Sequence, residues 1–362
     1  MTNKEIYYLV GVCLTFNEQP IEKQEFIRCK LQNREVSWER FVKIASDHLV
    51  LPVIYLNFKK NNLLEYLPIA LTEHLALIHK LNCERNAAIL DQIEEINQLM
   101  SQADILPIYL KGSANLLDGL YSDIGERMMG DIDFLVADDD YFKAAAILKK
   151  AGYFTNAREY VEKLQFNKHY PRLAHNEKQA DVEVHRLLVE NDYSKHFNYY
   201  TIISDIKKSN SLPKYATLSD KHKAELNFFH AYFIFEFNGN ISFRNAYDLF
   251  LISKRTDLSV LVKQLQHQTK NCITYFLFAF HMLGIDDQLS IKHGFRYKKF
   301  LLKHSWRFKH SYLVKPFLLI GYLKYVFLVY TDKLGKILIY KEYRKGLFMR
   351  LKKENWIRTF IG

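Results

Sequence analysis

Asp131-Ile132-Asp133 is the chain's most chemically pointed triplet. On a β-strand side chains alternate, so residues two apart share a face. Both carboxylates then point one way while Ile132 packs on the other side. Two like charges a few ångströms apart raise each other's pKa, and a divalent cation removes that penalty. Hard cations such as Mg²⁺ (or Mn²⁺) take oxygen ligands and bring substrate phosphates with them. A second acidic stretch, Ala180-Asp181-Val182-Glu183-Val184-His185, follows the same alternation. It sets Asp181, Glu183 and His185 on one face and the two valines on the other. If this strand lies beside the first, Glu183 is the expected third carboxylate. Asp181 sits nearer a turn and is expected to be more solvated. His185 has three readings: it orients Glu183, it touches an acceptor, or it simply packs.

Lys111-Gly112-Ser113 ends a short apolar run and precedes a helical one. Glycine permits close approach of a phosphate to the backbone, and the amides of a helix start favour an anion. Ser113 adds a hydroxyl donor. Lys111 and Arg127 add positive charge, Arg127 as a bidentate clamp. An acidic pair, a Gly-Ser turn or a histidine alone is ordinary. Their order is what carries information: strand, Gly-Ser, helix, strand with two aspartates, later strand with a carboxylate.

The elements that must position these residues follow from periodicity. Residues 1–103 read as helical. A run opens at Ser37, an expected N-cap, and after Pro68 a long amphipathic stretch without Gly or Pro reads to about Ala103 as one helix or two, its continuity favoured by that composition. Residues 104–200 change texture. Ile105–Leu110 reads as a strand, Asp131–Val136 as another, and Asp140 opens a helix that Gly152 stops. KHYPRLAH and ADVEVHRLL flank the turn NEKQ as a hairpin. Residues 201–290 are helical again, with Asn238-Gly239-Asn240 as an interhelical turn. The fold class expected is α+β: a small mixed sheet with helices, flanked by N- and C-terminal helical regions.

Residues 291–362 form a basic, aromatic, helix-compatible tail with 18 Lys and Arg against 3 Asp and Glu, so the net charge of +11 comes from this tail and the rest of the chain is a slightly acidic body. Arg296, Lys298, Lys299, Lys303, Trp306, Arg307 and Lys309 begin it, and Lys341, Arg344, Lys345, Arg350, Lys352, Lys353, Trp356 and Arg358 continue it. Three readings stand side by side: a nucleic-acid surface, attachment to an anionic membrane surface, and a solvated basic face on a helical core. No window of about 18 apolar residues occurs. The nearest approach, 317–330, is interrupted by Lys324, and the N-terminus does not read as a signal peptide. Cys13, Cys29, Cys83 and Cys272 lie in no CxxC pair and read as isolated thiols of a reducing compartment. A cytoplasmic protein, peripheral to the membrane if the tail binds lipid, is expected.

The ordered set resembles the DNA polymerase β-like nucleotidyltransferase superfamily. More closely, it resembles an uncharacterised bacterial nucleotidyltransferase family of that group, from about residue 37 to 255. Leu110-Lys111-Gly112, Tyr121, Arg127, DIDFLV, Glu183-Val184-His185, Phe229-His230 and the segment Phe243 to Leu249 carry the likeness. Two departures stand out: a long gap from Ser113 to Asp131, and Glu where Asp is commoner at the third acidic position. The resemblance implies that 104–200 is the catalytic core. It implies that Asp131, Asp133 and Glu183 hold metal and that a hydroxyl attacks the α-phosphorus of a nucleoside triphosphate such as ATP with loss of pyrophosphate. The acceptor is left open: small molecule, protein or RNA. The alternatives are a non-catalytic nucleotide- or RNA-binding module of the same fold and a tRNA-modifying toxin.

Overall fold

The computed structural model describes residues 1–157, 162, 167–210 and 213–310, with scattered positions between 319 and 344. The chain opens with helices α1 (Asn3–Leu14), α2 (Ile21–Gln32), α3 (Trp38–Asp47), α4 (Leu51–Lys60) and α5 (Ile69–Ser101). The run from Ser37 is thus two helices. Ser37 occupies the N-cap position of the first, without a side-chain cap bond. Helix α5 is one continuous rod of 33 residues, about 50 Å long at 1.5 Å per residue.

The middle of the chain contributes β1 (Ile108–Tyr109), α6 (Lys111–Leu117), β2 (Asp131–Leu135), α7 (Tyr141–Lys150), β3 (Asp181–His185), α8 (Tyr199–Ile202), β4 (Lys207–Lys208) and β5 (Ala216–Thr217). They form one mixed sheet in the order β3-β2-β1-β5-β4. Strand β2 runs antiparallel to β1 and parallel to β3. The expected hairpin survives as isolated antiparallel bridges, His169 to His185 and Leu173 to Val182. Asp140 stands at the N-cap of α7 without a side-chain cap bond, and Gly152 takes a left-handed φ of 95° just past its end.

Five helices follow up to residue 310: α9 (Asp220–Asn238), α10 (Phe243–Ser253), α11 (Leu258–Leu265), α12 (Cys272–Met282) and α13 (Phe295–Lys309). Gly239 makes the turn between α9 and α10 with a φ of 63°. Tail positions Lys345, Arg350, Lys352, Lys353, Trp356 and Arg358 lie outside the described residues. No helix among the described residues is long and apolar enough to cross a membrane.

Alternation sorts the sheet's two faces. Tyr109, Ile132, Phe134, Val182 and Val184 enter a core with Ile89, Ile93 and Ile96 of α5. Ile108, Leu110 and Leu135 enter a second cluster with Leu188, Phe197 and Leu226. Asp131 and Asp133 share Leu135's face, so that face is acidic where β2 begins and apolar where it ends.

The two helical regions, far apart in sequence, share a third core in which Ile6, Val10 and Phe58 join Phe228, Phe243 and Phe276. Gly11 of α1 is where they touch: a β-carbon there would lie 1.8 Å from the Met282 carbonyl oxygen. Gly11→Ala should therefore cost about 1–3 kcal/mol or more, the range for overpacking. A urea titration should show a lowered midpoint, and an unchanged midpoint would refute this close packing.

Candidate active site

Helix α5 sets the position of both acidic strands. Its buried Asn82 and Asn86 donate to the carbonyls of Ile124, Gly125 and Arg127, in the loop leading into β2. One turn and a half further along, Gln92 grips Ala180 through both its N–H and its C=O, at 3.1 and 2.8 Å, immediately before β3. A stripe of amides on one helix thus fixes where Asp131 and Asp181 begin their strands. Parallel pairing places Asp131 opposite Asp181, Asp133 opposite Glu183, and Leu135 opposite His185.

The shared face gathers negative charge and the groups that answer it. Lys111 Nζ donates to Asp133 Oδ1 at 2.6 Å, and His185 Nε2 lies 2.8 Å from the same oxygen. His185 Nε2 is also 3.5 Å from Glu183 Oε2, so the imidazole bridges the two carboxylates. Arg172 reaches three acids: Glu183 at 3.1 Å, Asp131 at 3.3 Å and Asp181 at 3.8 Å. His169 lies 4.0 Å from Glu183.

These contacts split the carboxylates electrostatically. Burial raises Asp133, but the His185 hydrogen bond and the Lys111 charge outweigh it and hold the group well below the usual carboxylate range. Glu183 is also held low, its burial outweighed by His185 and His169. Asp131 goes the other way. Burial and then the neighbouring Asp133 charge raise it, and Lys111 and Arg172 offset this only in part.

Lys111 holds a left-handed backbone, φ 50°, which costs a non-glycine residue roughly 1–2 kcal/mol. Gly112 serves a neighbour different from the one expected. A β-carbon there would sit 2.4 Å from Arg127 Nη1, so the glycine makes room for a guanidinium. Arg127 in turn donates from Nε to both Asp248 oxygens, at 3.0 and 3.2 Å, and Tyr121 donates its hydroxyl to Asp248 at 2.8 Å. Burial alone would lower Arg127; Asp248 more than offsets it and raises it further. Ser113, expected among the phosphate donors, is fully buried, and its hydroxyl has no hydrogen-bond partner among the described residues.

A cleft of about 210 Å³ opens between the sheet and the helices. Lys111, Gly112, Asn115, Arg127, Asp131 and Asp133 form one wall, and Asn227, His230, Arg244 and Asn245 of α9 and α10 form much of the other. Glu183 does not line it; its neighbours are His185, His169 and Arg172. Donor atoms of Asp133, Glu183 and His185 all fall within 4.8 Å of one another, so this group has His185 where Asp131 was expected beside Asp133 and Glu183. Asp181 remains partly exposed at the strand's start, as its place beside the turn implied. Arg172, His169, Asn115 and Asn227 were not singled out in the sequence. Arg172 and His169 belong to the hairpin arm opposite β3, and that pairing was the available signal.

A family description, uncharacterised nucleotidyltransferase, matches residues 34–282. The chain belongs to that family. The matched span of this nucleotidyltransferase-family chain contains every cleft residue from Lys111 to Asp248. No curated protein matches it.

Asp131 yields a pH prediction. Its folded pKa lies above its unfolded value, so its charge weakens the fold above that unfolded value, near pH 3.9. The penalty is relieved as pH falls through the folded pKa. Asp131→Asn should raise the melting temperature in metal-free buffer at pH 7, with the gain fading toward pH 4. An equal or lower melting temperature at pH 7 would count against this electrostatic assignment.

Proposed function

We propose that the cleft binds a metal-chelated nucleoside triphosphate and that the chain transfers its nucleoside monophosphate to an acceptor hydroxyl, releasing pyrophosphate. The observation that carries this reading is the parallel register of β2 and β3, which sets Asp133 beside Glu183 with Asp131 on the same face. Membership of a nucleotidyltransferase family points to the same reaction class.

The donor set fits a hard divalent cation, Mg²⁺ or Mn²⁺: carboxylate oxygens predominate, and two of the acids are held ionised. Asp131 and Asp133 would hold the ion at the cleft wall, with Glu183 and His185 behind Asp133. Such an ion neutralises phosphate charge and acidifies an attacking hydroxyl. The chain's own residues do the rest. Lys111, now spent on Asp133, is placed to turn its ammonium to a phosphate oxygen. Arg127 presents positive charge at the same wall while Asp248 keeps its plane fixed. Arg244, Asn227 and His230 give the facing helices donors for the nucleoside or the acceptor. The acceptor's class, whether small molecule, protein or RNA, is set by this helical wall, not by the acidic strands.

Asp133→Asn should lower transfer roughly 10³-fold, about 4 kcal/mol of barrier, and Glu183→Gln should lower it by less. The assay is incorporation of label from α-³²P nucleoside triphosphates into cell-extract fractions. Incorporation by Asp133→Asn at the wild-type rate would remove the acidic face from the chemistry.

A further inference from the structure

Cys83 is not an isolated thiol in the folded chain. His79 and Cys83 lie one turn apart on α5 and face the same way. Asp123 reaches them from the loop that leads into β2. His79 Nε2 is 2.8 Å from Asp123 Oδ1, and Cys83 Sγ is 3.6 Å from that nitrogen and 3.7 Å from that oxygen. The three donor atoms therefore make a triangle. Gly125 lies directly over it: a β-carbon there would fall 2.4 Å from the sulfur.

We propose that His79, Cys83 and Asp123 form a structural zinc site, with solvent as the fourth ligand, that fastens the β2-entry loop to α5. In a tetrahedral zinc site with bonds of about 2.3 Å to sulfur and about 2.0 Å to nitrogen and oxygen, neighbouring donors lie about 3.3–3.6 Å apart. The sulfur edges, at 3.6 and 3.7 Å, lie within about 0.1 Å of that range. The His79–Asp123 edge is shorter because those atoms share a hydrogen bond. Closing on an ion opens that edge by about 0.5 Å and turns the ring so that its lone pair faces the ion. The charges also match, since a thiolate, a carboxylate and a neutral imidazole together balance Zn²⁺. A sulfur ligand beside an imidazole favours zinc over Mg²⁺. On binding, the Cys83 S–H bond breaks, an S–Zn bond forms, and the proton leaves to solvent.

A nucleophile relay fits this geometry poorly. In a relay the two ring nitrogens face different partners, whereas here Nε2 faces Asp123 and is also the nitrogen nearer Cys83, at 3.6 Å against 3.9 Å for Nδ1. Burial and the Asp123 charge also push the Cys83 thiol up, opposite to the direction of an activated cysteine. The solvent-facing side of the cluster leaves room for a water ligand, since the Asp123 side chain is about one-third exposed.

The test is Co²⁺ titration of the purified full chain with excess Mg²⁺ present, so that oxygen-only sites are filled. The expected result is one equivalent bound with a thiolate-to-cobalt charge-transfer band, abolished in Cys83→Ser and reversed by Zn²⁺. Absence of the band in the wild type overturns the site, as does its persistence in Cys83→Ser, which would assign it to another thiol. Should Cys83→Ser fail to fold, alkylation of the wild type decides. Zn²⁺ should slow modification of Cys83 roughly tenfold or more while the exposed Cys29 reacts unchanged. Equal alkylation of Cys83 with and without Zn²⁺ overturns the proposal.

Discussion

Carboxylates crowded onto one face of two neighbouring strands repel each other, and the fold must answer that repulsion before it can do anything else. It does so from three directions. Lys111 arrives from the start of α6, His185 from two residues further along β3, and Arg172 from the hairpin arm beside it. The answer is incomplete at Asp131, whose pKa is raised first by burial and then by the part of the Asp133 charge that Lys111 and Arg172 do not offset. That residual negative potential lies on the wall of the cleft, where an added cation would meet it first.

Rigidity in the rest of the molecule serves this arrangement. Helix α5 belongs to two cores at once, through Leu75 in the helical one and Ile89, Ile93 and Ile96 in the sheet's. Its buried amides hold the entries to both acidic strands, so a shift of the rod would move β2 and β3 together. The Arg127–Asp248 pair ties the β2-entry loop to α10 and hence to the far wall. Breaking one partner of such a buried pair costs about 3–5 kcal/mol, because the other charge is left stranded. That pair and the α5 amides therefore tie both walls of the cleft to one framework.

Much of this was legible in the sequence because strand alternation is a strict period. Asp131, Asp133, Asp181, Glu183 and His185 fall on the faces that the period of two assigns them, and the long helix without Gly or Pro is continuous. The mixed α+β class followed from the same patterns. Short strands escaped notice: Lys207–Lys208 and Ala216–Thr217 have two residues each, too few for any period to show. Strand β1 is also shorter than its apolar run, at two residues. Long-range pairing was the other blind spot. Gly112 looked like a seat for phosphate because glycine's freedom is visible in sequence, while the guanidinium occupying that space comes from fifteen residues on. Neither Arg127's tie to Asp248 nor Asp123's approach to the His79–Cys83 pair has a local signature, since each joins elements that meet only once the chain is folded.

The proposed transfer requires a divalent cation bound at the acidic wall together with a triphosphate. Anomalous scattering from Mn²⁺ in crystals grown with a non-hydrolysable nucleoside triphosphate would locate both. The expected result is a manganese peak within ligand distance of Asp131 and Asp133, triphosphate oxygens on its far side, and Lys111 swung from Asp133 to a phosphate. Manganese elsewhere, or nucleotide bound outside the cleft with the Lys111–Asp133 pair intact, would contradict it.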